Sequence, residues 1–134
     1  MSETKDLAGI KVMVIDDSNT IRRSAEIFLG QSGCEIILAT DGFDAMAKIA
    51  DNLPDVIFVD IMMPRLDGYQ TCTLIKKNPR FVSTPVIMLS SKDGLFDRAR
   101  GRMVGSDEYL TKPFTKDSLL SAVRKHGLKH HSAA

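Results

Sequence analysis

Five short, mostly apolar runs rich in β-branched residues alternate with longer amphipathic stretches along the chain. The apolar runs cover residues 12–15, 36–39, 56–59, 86–89 and 108–110. The stretches long enough for a helix cover residues 19–32, 43–52, 67–77, 94–104 and 115–126. Strands that alternate with helices build a parallel sheet, and near-continuously apolar strands indicate that helices cover both faces. The pattern predicts an α/β protein with a doubly wound five-stranded parallel sheet.

Length and charge restrict the classes of function. The 134 residues suffice for one domain, which we expect over 10–126, between flexible segments at 1–9 and 127–134. The 18 basic and 17 acidic residues leave a net charge of +1, which would not drive binding to nucleic acid or to an anionic membrane. No apolar run has the length of a membrane span, and the start lacks the core of a signal peptide. We therefore expect a cytoplasmic protein without membrane insertion.

Chemically active side chains follow four of the five predicted strands. Asp16 and Asp17 follow the first strand, Asp60 the third and Ser90 the fourth, and Lys112 lies just beyond the fifth. Because the carboxyl ends of parallel strands lie along one edge of an open sheet, these side chains are expected to converge on one pocket. Three carboxylates, a hydroxyl and an ammonium suit a divalent cation together with a phosphoryl group. The set favours a protein phosphorylated on its own aspartate over one that acts on a separate substrate.

The carboxylates also have more ordinary interpretations. Adjacent acids such as Asp16 and Asp17 repel each other unless a cation lies between them, but taken alone they could form an exposed acidic turn. Asp60 could be a metal ligand, a helix cap or a nucleophile that forms an acyl phosphate. A Mg²⁺ site needs one or two carboxylates, a backbone carbonyl and waters, and Met62 could present the carbonyl.

Ser90 and Lys112 both suit a phosphoryl group. The hydroxyl of Ser90 could donate a hydrogen bond to a phosphoryl oxygen, although a serine at a strand end is often only a turn residue. Lys112 precedes Pro113, which holds its backbone extended. If the peptide bond between these two residues is cis, the chain turns tightly there and directs the ammonium inward.

Four segments of the chain together resemble the receiver domain of bacterial response regulators, the CheY-like family. The segments are Val-Met-Val-Ile-Asp16-Asp17-Ser, Ile-Phe-Val-Asp60-Ile-Met-Met-Pro64-Arg-Leu-Asp-Gly68, Pro-Val-Ile-Met-Leu-Ser90 and Leu-Thr-Lys112-Pro113-Phe. The resemblance spans nearly the whole chain and implies a flavodoxin-like fold. It also implies that a histidine kinase is the phosphodonor and that Asp60 is the phosphoacceptor. Mg²⁺ would be held by Asp17, Asp60 and the carbonyl of Met62, with Asp16 acting partly through water.

The same resemblance implies a conformational switch. Ser90 and Lys112 would contact the phosphoryl group, and Ser90 would form a switch pair with Tyr109. Phosphorylation would draw the Ser90 hydroxyl inward and leave space that the ring of Tyr109 can occupy. An output protein would then dock on the surface formed by residues 94–126, part of which is basic.

A narrower resemblance points to the process that is regulated. Residues 15–23, 60–72 and 88–96 resemble the single-domain receivers of the chemosensory systems that control type IV pili. This resemblance implies a role in twitching motility, with a chemotaxis-type receiver for a flagellar or other output as the alternative. No DNA-binding module is recognised in the sequence, so we expect output through protein–protein contact.

Three other functions compete with this interpretation. A phosphatase with an aspartate nucleophile would need a second acid two residues after it, where this chain has Met62. A flavodoxin-like cofactor binder would need a glycine- and hydroxyl-rich first loop, whereas Asp16 and Asp17 would repel phosphate without a metal. A receiver that binds partners without phosphorylation stays open, although Asp60, Ser90 and Lys112 argue against it. We therefore expect no enzyme activity on external substrates, and only self-catalysed phosphotransfer and dephosphorylation.

Overall fold

The architecture is known from a computed structural model that describes residues 7–91 and 95–133, with side chains for all of these except 95–97 and 133. Its centre is a five-stranded sheet in the order β2-β1-β3-β4-β5, in which all neighbouring strands are parallel. The strands are β1 (Lys11–Ile15), β2 (Glu35–Ala39), β3 (Val56–Asp60), β4 (Val86–Ser90) and β5 (Glu108–Thr111). The predicted doubly wound parallel sheet is confirmed.

Helices cover both faces of the sheet. They are α1 (Asn19–Gln31), α2 (Gly42–Asn52), α3 (Gly68–Lys77), α4 (Leu95–Met103), α5 (Lys116–Ala122) and α6 (Leu128–Ala133). Successive residues of β1 point to opposite faces: Val12 and Val14 pack in a core with α1 and α5, whereas Met13 and Ile15 pack in a core with α2 and α3. Because the central strands are buried on both faces, they are apolar except at their end residues.

Side-chain caps start four helices just after the carboxyl edge of the sheet. Ser18, Asp41, Asp67 and Thr115 each accept a hydrogen bond from the backbone N–H three residues further along. Such a cap satisfies a helical N–H that would otherwise lack a partner. The caps therefore fix where α1, α2, α3 and α5 begin, and with them the loops that follow β1, β2, β3 and β5.

The carboxyl-terminal part of the chain is more helical than predicted. The last helix was expected to end at residue 126 and to be followed by a loose segment, but α5 continues through a π-helical turn (Val123–Gly127) into α6. A Cβ atom at Gly127 would lie only 3.3 Å from side-chain atoms of Ile10 and Val56, so this turn packs directly against the sheet. The histidine-rich segment that follows contacts the buried Asp55. The Nδ1 atoms of His130 and His131 lie 3.2 and 3.1 Å from its two carboxylate oxygens.

The amino-terminal segment is partly built into the core. Leu7 lies within the segment 1–9 that was predicted to be loose, yet it is fully buried and its N–H donates to the carbonyl of Ser32 at 3.2 Å. Residues 1–6 of that segment lie outside the described residues. The domain limits of 10–126 stay a prediction. Within the part of the chain that the structure describes, no helix is both long and apolar enough to cross a membrane.

Candidate functional site

Three carboxylates meet at the carboxyl edge of the sheet, at the ends of β1 and β3. These strands are neighbours, with Ile15 paired with Val59, so the residues that follow or end them lie side by side. One oxygen atom of each of Asp16, Asp17 and Asp60 lies within 4.8 Å of the other two. Asp16 and Asp60 are buried and Asp17 is exposed. We call these three residues the acidic cluster.

Lys112 bridges the two buried members of the acidic cluster. Its Nζ atom lies 3.2 Å from Oδ2 of Asp16 and 3.1 Å from Oδ1 of Asp60. The backbone N–H of Lys112 donates to the carbonyl of Ser90 at 2.7 Å, which ties the loop after β5 to the end of β4. The peptide bond between Lys112 and Pro113 is cis, as the sequence hypothesis proposed, and the ammonium points into the site.

The surroundings of Asp60 oppose its ionisation. Burial and the nearby charge of Asp16 raise the pKa of Asp60 from 3.8 to about 6, although Lys112 acts in the opposite direction. Burial alone would lower the pKa of Lys112, but its hydrogen bond to Asp60 and the charge of Asp16 raise the pKa above its ordinary value. Asp60 is therefore largely a carboxylate at neutral pH, held beside a permanent cation.

Backbone contacts hold the loops that carry the carboxylates. The N–H of Ser18 donates to Oδ1 of Asp16 at 2.9 Å, and the guanidinium of Arg22 donates to the backbone carbonyl of Asp16. The N–H of Met62 donates to Oδ1 of Asp60 at 3.3 Å, so the backbone of the loop after β3 lies beside the carboxylate of Asp60. The sequence interpretation did not identify Arg22, because nothing in its position marks a contact with a carbonyl six residues earlier.

The loop after β3 depends on a close approach at Gly68, the first residue of α3. A Cβ atom there would lie 2.4 Å from the carbonyl oxygen of Asp60 and 2.7 Å from Cα of Ile61. The N–H of Gly68 also donates to the carbonyl of Ile61 at 3.0 Å. Only glycine fits this space without movement of the backbone. Gly68 belongs to one of the motifs that resemble receiver domains, but the sequence alone does not indicate its role.

Ser90 and Tyr109 lie on the neighbouring strands β4 and β5. Ser90 is buried and pairs with Thr111, and Tyr109 pairs with Met88 two residues earlier along the ladder. The hydroxyl of Tyr109 is buried, and the described residues offer it no hydrogen-bond partner. The guanidinium carbon of Arg98, on α4, lies 4.7 Å from the centre of the Tyr109 ring. The two predicted switch residues therefore lie on adjacent strands, one at the site edge and one beneath α4.

The donor set of the acidic cluster fits a hard divalent cation. Mg²⁺ binds oxygen ligands, commonly one or two carboxylates with waters and carbonyls, and the cluster offers three carboxylates within reach of one another. The exposed position of Asp17 leaves room for waters on one side. With such a cation bound, the site would also suit a phosphoryl group, because the ammonium of Lys112 would balance part of its negative charge. Asp16, Asp17, Asp60 and Lys112 thus meet as the sequence predicted.

Comparison with known proteins agrees with this geometry. Protein PilG of Pseudomonas aeruginosa is 72% identical over 118 residues, which are 88% of this chain and 87% of PilG. Response regulator MprA of a Mycobacterium species is 36% identical over 115 residues, and the chain spans about half of that relative, 49% of its length. The solved structure of chemotaxis protein CheY4 of Vibrio cholerae has a TM-score of 0.85 at 31% identity, covering 89% of this chain and 99% of that chain.

The family profile described as "Response regulator receiver domain" matches residues 12–124. The matched region contains the acidic cluster, Ser90, Tyr109 and Lys112. With the fold of a solved CheY4 structure and this profile match over most of its length, the chain belongs to the response-regulator receiver domain family.

Proposed function

We propose that Asp60 accepts a phosphoryl group from a histidine kinase and that the protein is a phosphorylation-controlled switch for protein–protein contact. The observation that carries the proposal is the pair of contacts that Lys112 makes with Asp16 and Asp60 inside the acidic cluster. With a divalent cation bound in the acidic cluster, the two buried carboxylates and the ammonium beside them would suit a group that carries negative charge. An exposed acidic turn, the ordinary alternative for Asp16 and Asp17, would not bury Asp16.

The transfer requires Asp60 in its ionised form. A carboxylate oxygen of Asp60 forms the new bond to phosphorus while the bond between phosphorus and the donor histidine nitrogen breaks, and that nitrogen takes up a proton. With a pKa of about 6, Asp60 is mostly ionised at neutral pH. The ammonium of Lys112 is already in contact with Oδ1 of Asp60, so it stabilises charge on the phosphoryl oxygens from the start.

We propose that Asp17, Asp60 and the backbone carbonyl of Met62 hold Mg²⁺, with Asp16 acting partly through water. When bound, Mg²⁺ would neutralise charge on the transferring phosphoryl oxygens. The chain's own residues support this assignment, since the N–H of Met62 already bonds to Asp60 and keeps the backbone of that loop beside the carboxylate. Asp16 is fully buried and is already in contact with the ammonium of Lys112.

Phosphorylation would be transmitted through Ser90 and Tyr109. Ser90 would donate to a phosphoryl oxygen, and the ring of Tyr109 would move into the space left behind. The buried hydroxyl of Tyr109, which has no hydrogen-bond partner among the described residues, supports a mobile ring, because rotation would give this polar atom a partner or water. Arg98 lies over the same ring, so movement of Tyr109 would also alter α4. The surface of residues 94–126, of which residue 94 lies outside the described residues, would carry the signal to an output protein.

The partners proposed are a histidine kinase and an output protein, in the cytoplasm, without nucleic-acid binding or membrane insertion. The similarity to PilG over most of both chains supports the narrower expectation that the process is type IV pilus motility. Met62, at the position where an aspartate-nucleophile phosphatase needs a second acid, argues against action on separate substrates. The protein would catalyse only its own phosphorylation and dephosphorylation.

The test is the intact mass of the protein after incubation with Mg²⁺ and a small phosphodonor. We expect one added phosphoryl group in the wild type, and none with Asp60→Asn or without Mg²⁺. Asp51→Asn, which alters an exposed acid of α2, is the matched control and should be labelled normally. An unlabelled wild type, under conditions that label another receiver, would instead favour a module that binds partners without phosphorylation.

A further inference from the structure

The loop between β3 and α3 contains a residue in an unusual backbone conformation. Arg65 has a φ of 67°, in the left-handed region, where residues other than glycine are uncommon. Such a conformation persists where surrounding contacts favour it, and it is concentrated at functional sites. The same loop carries Met62, whose backbone lies against Asp60. The contacts that Arg65 makes therefore bear on how this loop is held.

The side chain of Arg65 contacts the first turn of α2 in two ways. Its Nη2 atom lies 2.9 Å from Oδ2 of Asp41, and its guanidinium carbon lies 5.1 Å from the centre of the Phe43 ring. Arg65 and Phe43 are both largely exposed, with 67% of the Arg65 side chain accessible. The planar guanidinium can make an ion pair at its edge and stack on a ring with its face, which a lysine cannot do equally well.

The start of α2 is a firm point of attachment. Asp41 uses its other oxygen, Oδ1, to cap the helix by accepting the N–H of Asp44 at 2.7 Å. Asp44 in turn accepts the N–H of Thr40 at 3.0 Å. The carbonyl of Ala39, at the end of β2, accepts the N–H of Asp16 at 3.1 Å. The segment that Arg65 contacts, at the start of α2, is thus hydrogen-bonded to the loop that carries Asp16.

We propose that Arg65 is a positioning residue that holds the loop after β3 in the conformation that binds Mg²⁺, by clamping it to Asp41 and Phe43. The inference rests on the proposed function, since it concerns the same metal site. Without the clamp, the left-handed conformation at residue 65 loses the contacts that offset its strain. The binding-competent loop is then less populated, and the apparent dissociation constant for Mg²⁺ rises in proportion.

The sign of the effect separates this role from simple electrostatics. Arg65 is a cation near a cation site, so removing its charge would by itself tighten Mg²⁺ binding, and removing the charge of Asp41 would weaken it. Positioning predicts weaker binding for both changes. Exposed ion pairs and cation–π contacts each change an equilibrium by about two- to fivefold. Because Arg65→Ala removes both contacts, we expect it to raise the dissociation constant by at least about fourfold.

The experiment is calorimetric titration of the unphosphorylated protein with MgCl₂, for five variants beside the wild type. Arg65→Ala should bind most weakly, and Arg65→Gly should be intermediate because glycine removes the backbone strain but not the loss of contacts. Asp41→Asn keeps the helix cap and loses the ion pair, and Phe43→Leu loses the stacking, so both should also weaken binding. Arg80→Ala removes a similar arginine–phenylalanine contact, with Phe81, far from the cluster and should bind normally.

A second readout follows the loop itself. Hydrogen exchange of the segment 61–68 should be faster in Arg65→Ala than in the wild type and unchanged in Arg80→Ala. Equal or tighter Mg²⁺ binding by Arg65→Ala, with a wild type that binds the ion, would overturn the role of Arg65 and leave the proposed function standing. Weaker binding by Arg65→Ala alone, with Asp41→Asn and Phe43→Leu normal, would also overturn the clamp. A wild type that binds no Mg²⁺ would count against the proposed function instead.

Discussion

At the scale of single residues, Lys112 is the cation that allows Asp16 and Asp60 to lie side by side in a buried site. If Lys112 is replaced by methionine, burial and the charge of Asp16 act on Asp60 without the opposing contact, so the pKa of Asp60 should rise further above about 6. Carbon-13 NMR titration of the carboxyl groups without Mg²⁺ measures this shift. Lys116→Met, which changes an exposed lysine of α5, should leave the pKa of Asp60 where it is. An unchanged pKa of Asp60 in Lys112→Met would mean that the contact with Lys112 does not affect the ionisation of Asp60.

The residues of the site differ in how far the sequence could predict them. Asp16, Asp60 and Lys112 were predictable because polar residues directly after apolar strands must lie at one known edge of a parallel sheet. Arg65 was not, because its contact with Asp41 spans 24 positions and depends on a loop conformation that no local pattern encodes. Side chains at the ends of strands can thus be placed from the sequence, because the sheet fixes their position. Side chains that connect one loop to another cannot be placed in this way.

At the scale of elements, the junction between β3 and α3 depends on Gly68. A methyl group there would collide with the backbone of Asp60 and Ile61, which cannot move without disturbing the site. We expect Gly68→Ala to lower the free energy of unfolding by about 2 kcal/mol or more, and to slow phosphorylation of Asp60. Urea unfolding and intact mass measure the two effects.

The matched control for this substitution is Gly30→Ala, in the last turn of α1. A Cβ atom there meets nothing closer than the Cδ1 atom of Ile36, at 3.8 Å. Because alanine favours helix over glycine, this variant should be as stable as the wild type or more stable by up to about 1 kcal/mol. Equal changes of stability in the two variants would show that the close approach of Gly68 to Asp60 and Ile61 does not contribute.

The elements themselves were predicted to within one or two residues, except at the carboxyl end. Apolar runs mark each strand, and side-chain caps mark the starts of α1, α2, α3 and α5. Beyond it, Gly127 and the histidines have the composition of a helix end, and the prediction stopped there. The helix continues because Gly127 packs on Ile10 and Val56, a contact between distant parts of the chain that periodicity does not report.

At the scale of the whole molecule, the two ends of the sheet are built for different purposes. The amino-terminal edge is closed by apolar packing and by contacts between the carboxyl-terminal helix and Asp55. The carboxyl edge collects three carboxylates and one ammonium, and the acid that would be phosphorylated is almost completely buried. A buried carboxylate with a raised pKa destabilises the folded state when it is ionised, so the site reduces the stability of the fold in return for reactivity.

This reduction in stability has a defined pH dependence. The pKa of Asp60 is about 6 in the folded protein and about 3.8 in the unfolded chain, so between these values the folded state binds more protons and stability falls as the pH rises. Asp60→Asn removes this term. Without Mg²⁺, the variant should equal the wild type near pH 4 and exceed it by about 2–3 kcal/mol above pH 7.

Urea unfolding across this pH range measures the difference, with Asp51→Asn as a control that should show no such trend. Adding Mg²⁺ should reduce the difference in the free energy of unfolding between Asp60→Asn and the wild type above pH 7, because the ion binds the folded wild type and stabilises it. A gain in Asp60→Asn that is the same at pH 4 and pH 8 would show that it arises from packing and not from the buried charge. A gain that develops between about pH 4 and pH 6 and is constant above pH 7 would show that the ionised carboxylate of Asp60 destabilises the fold.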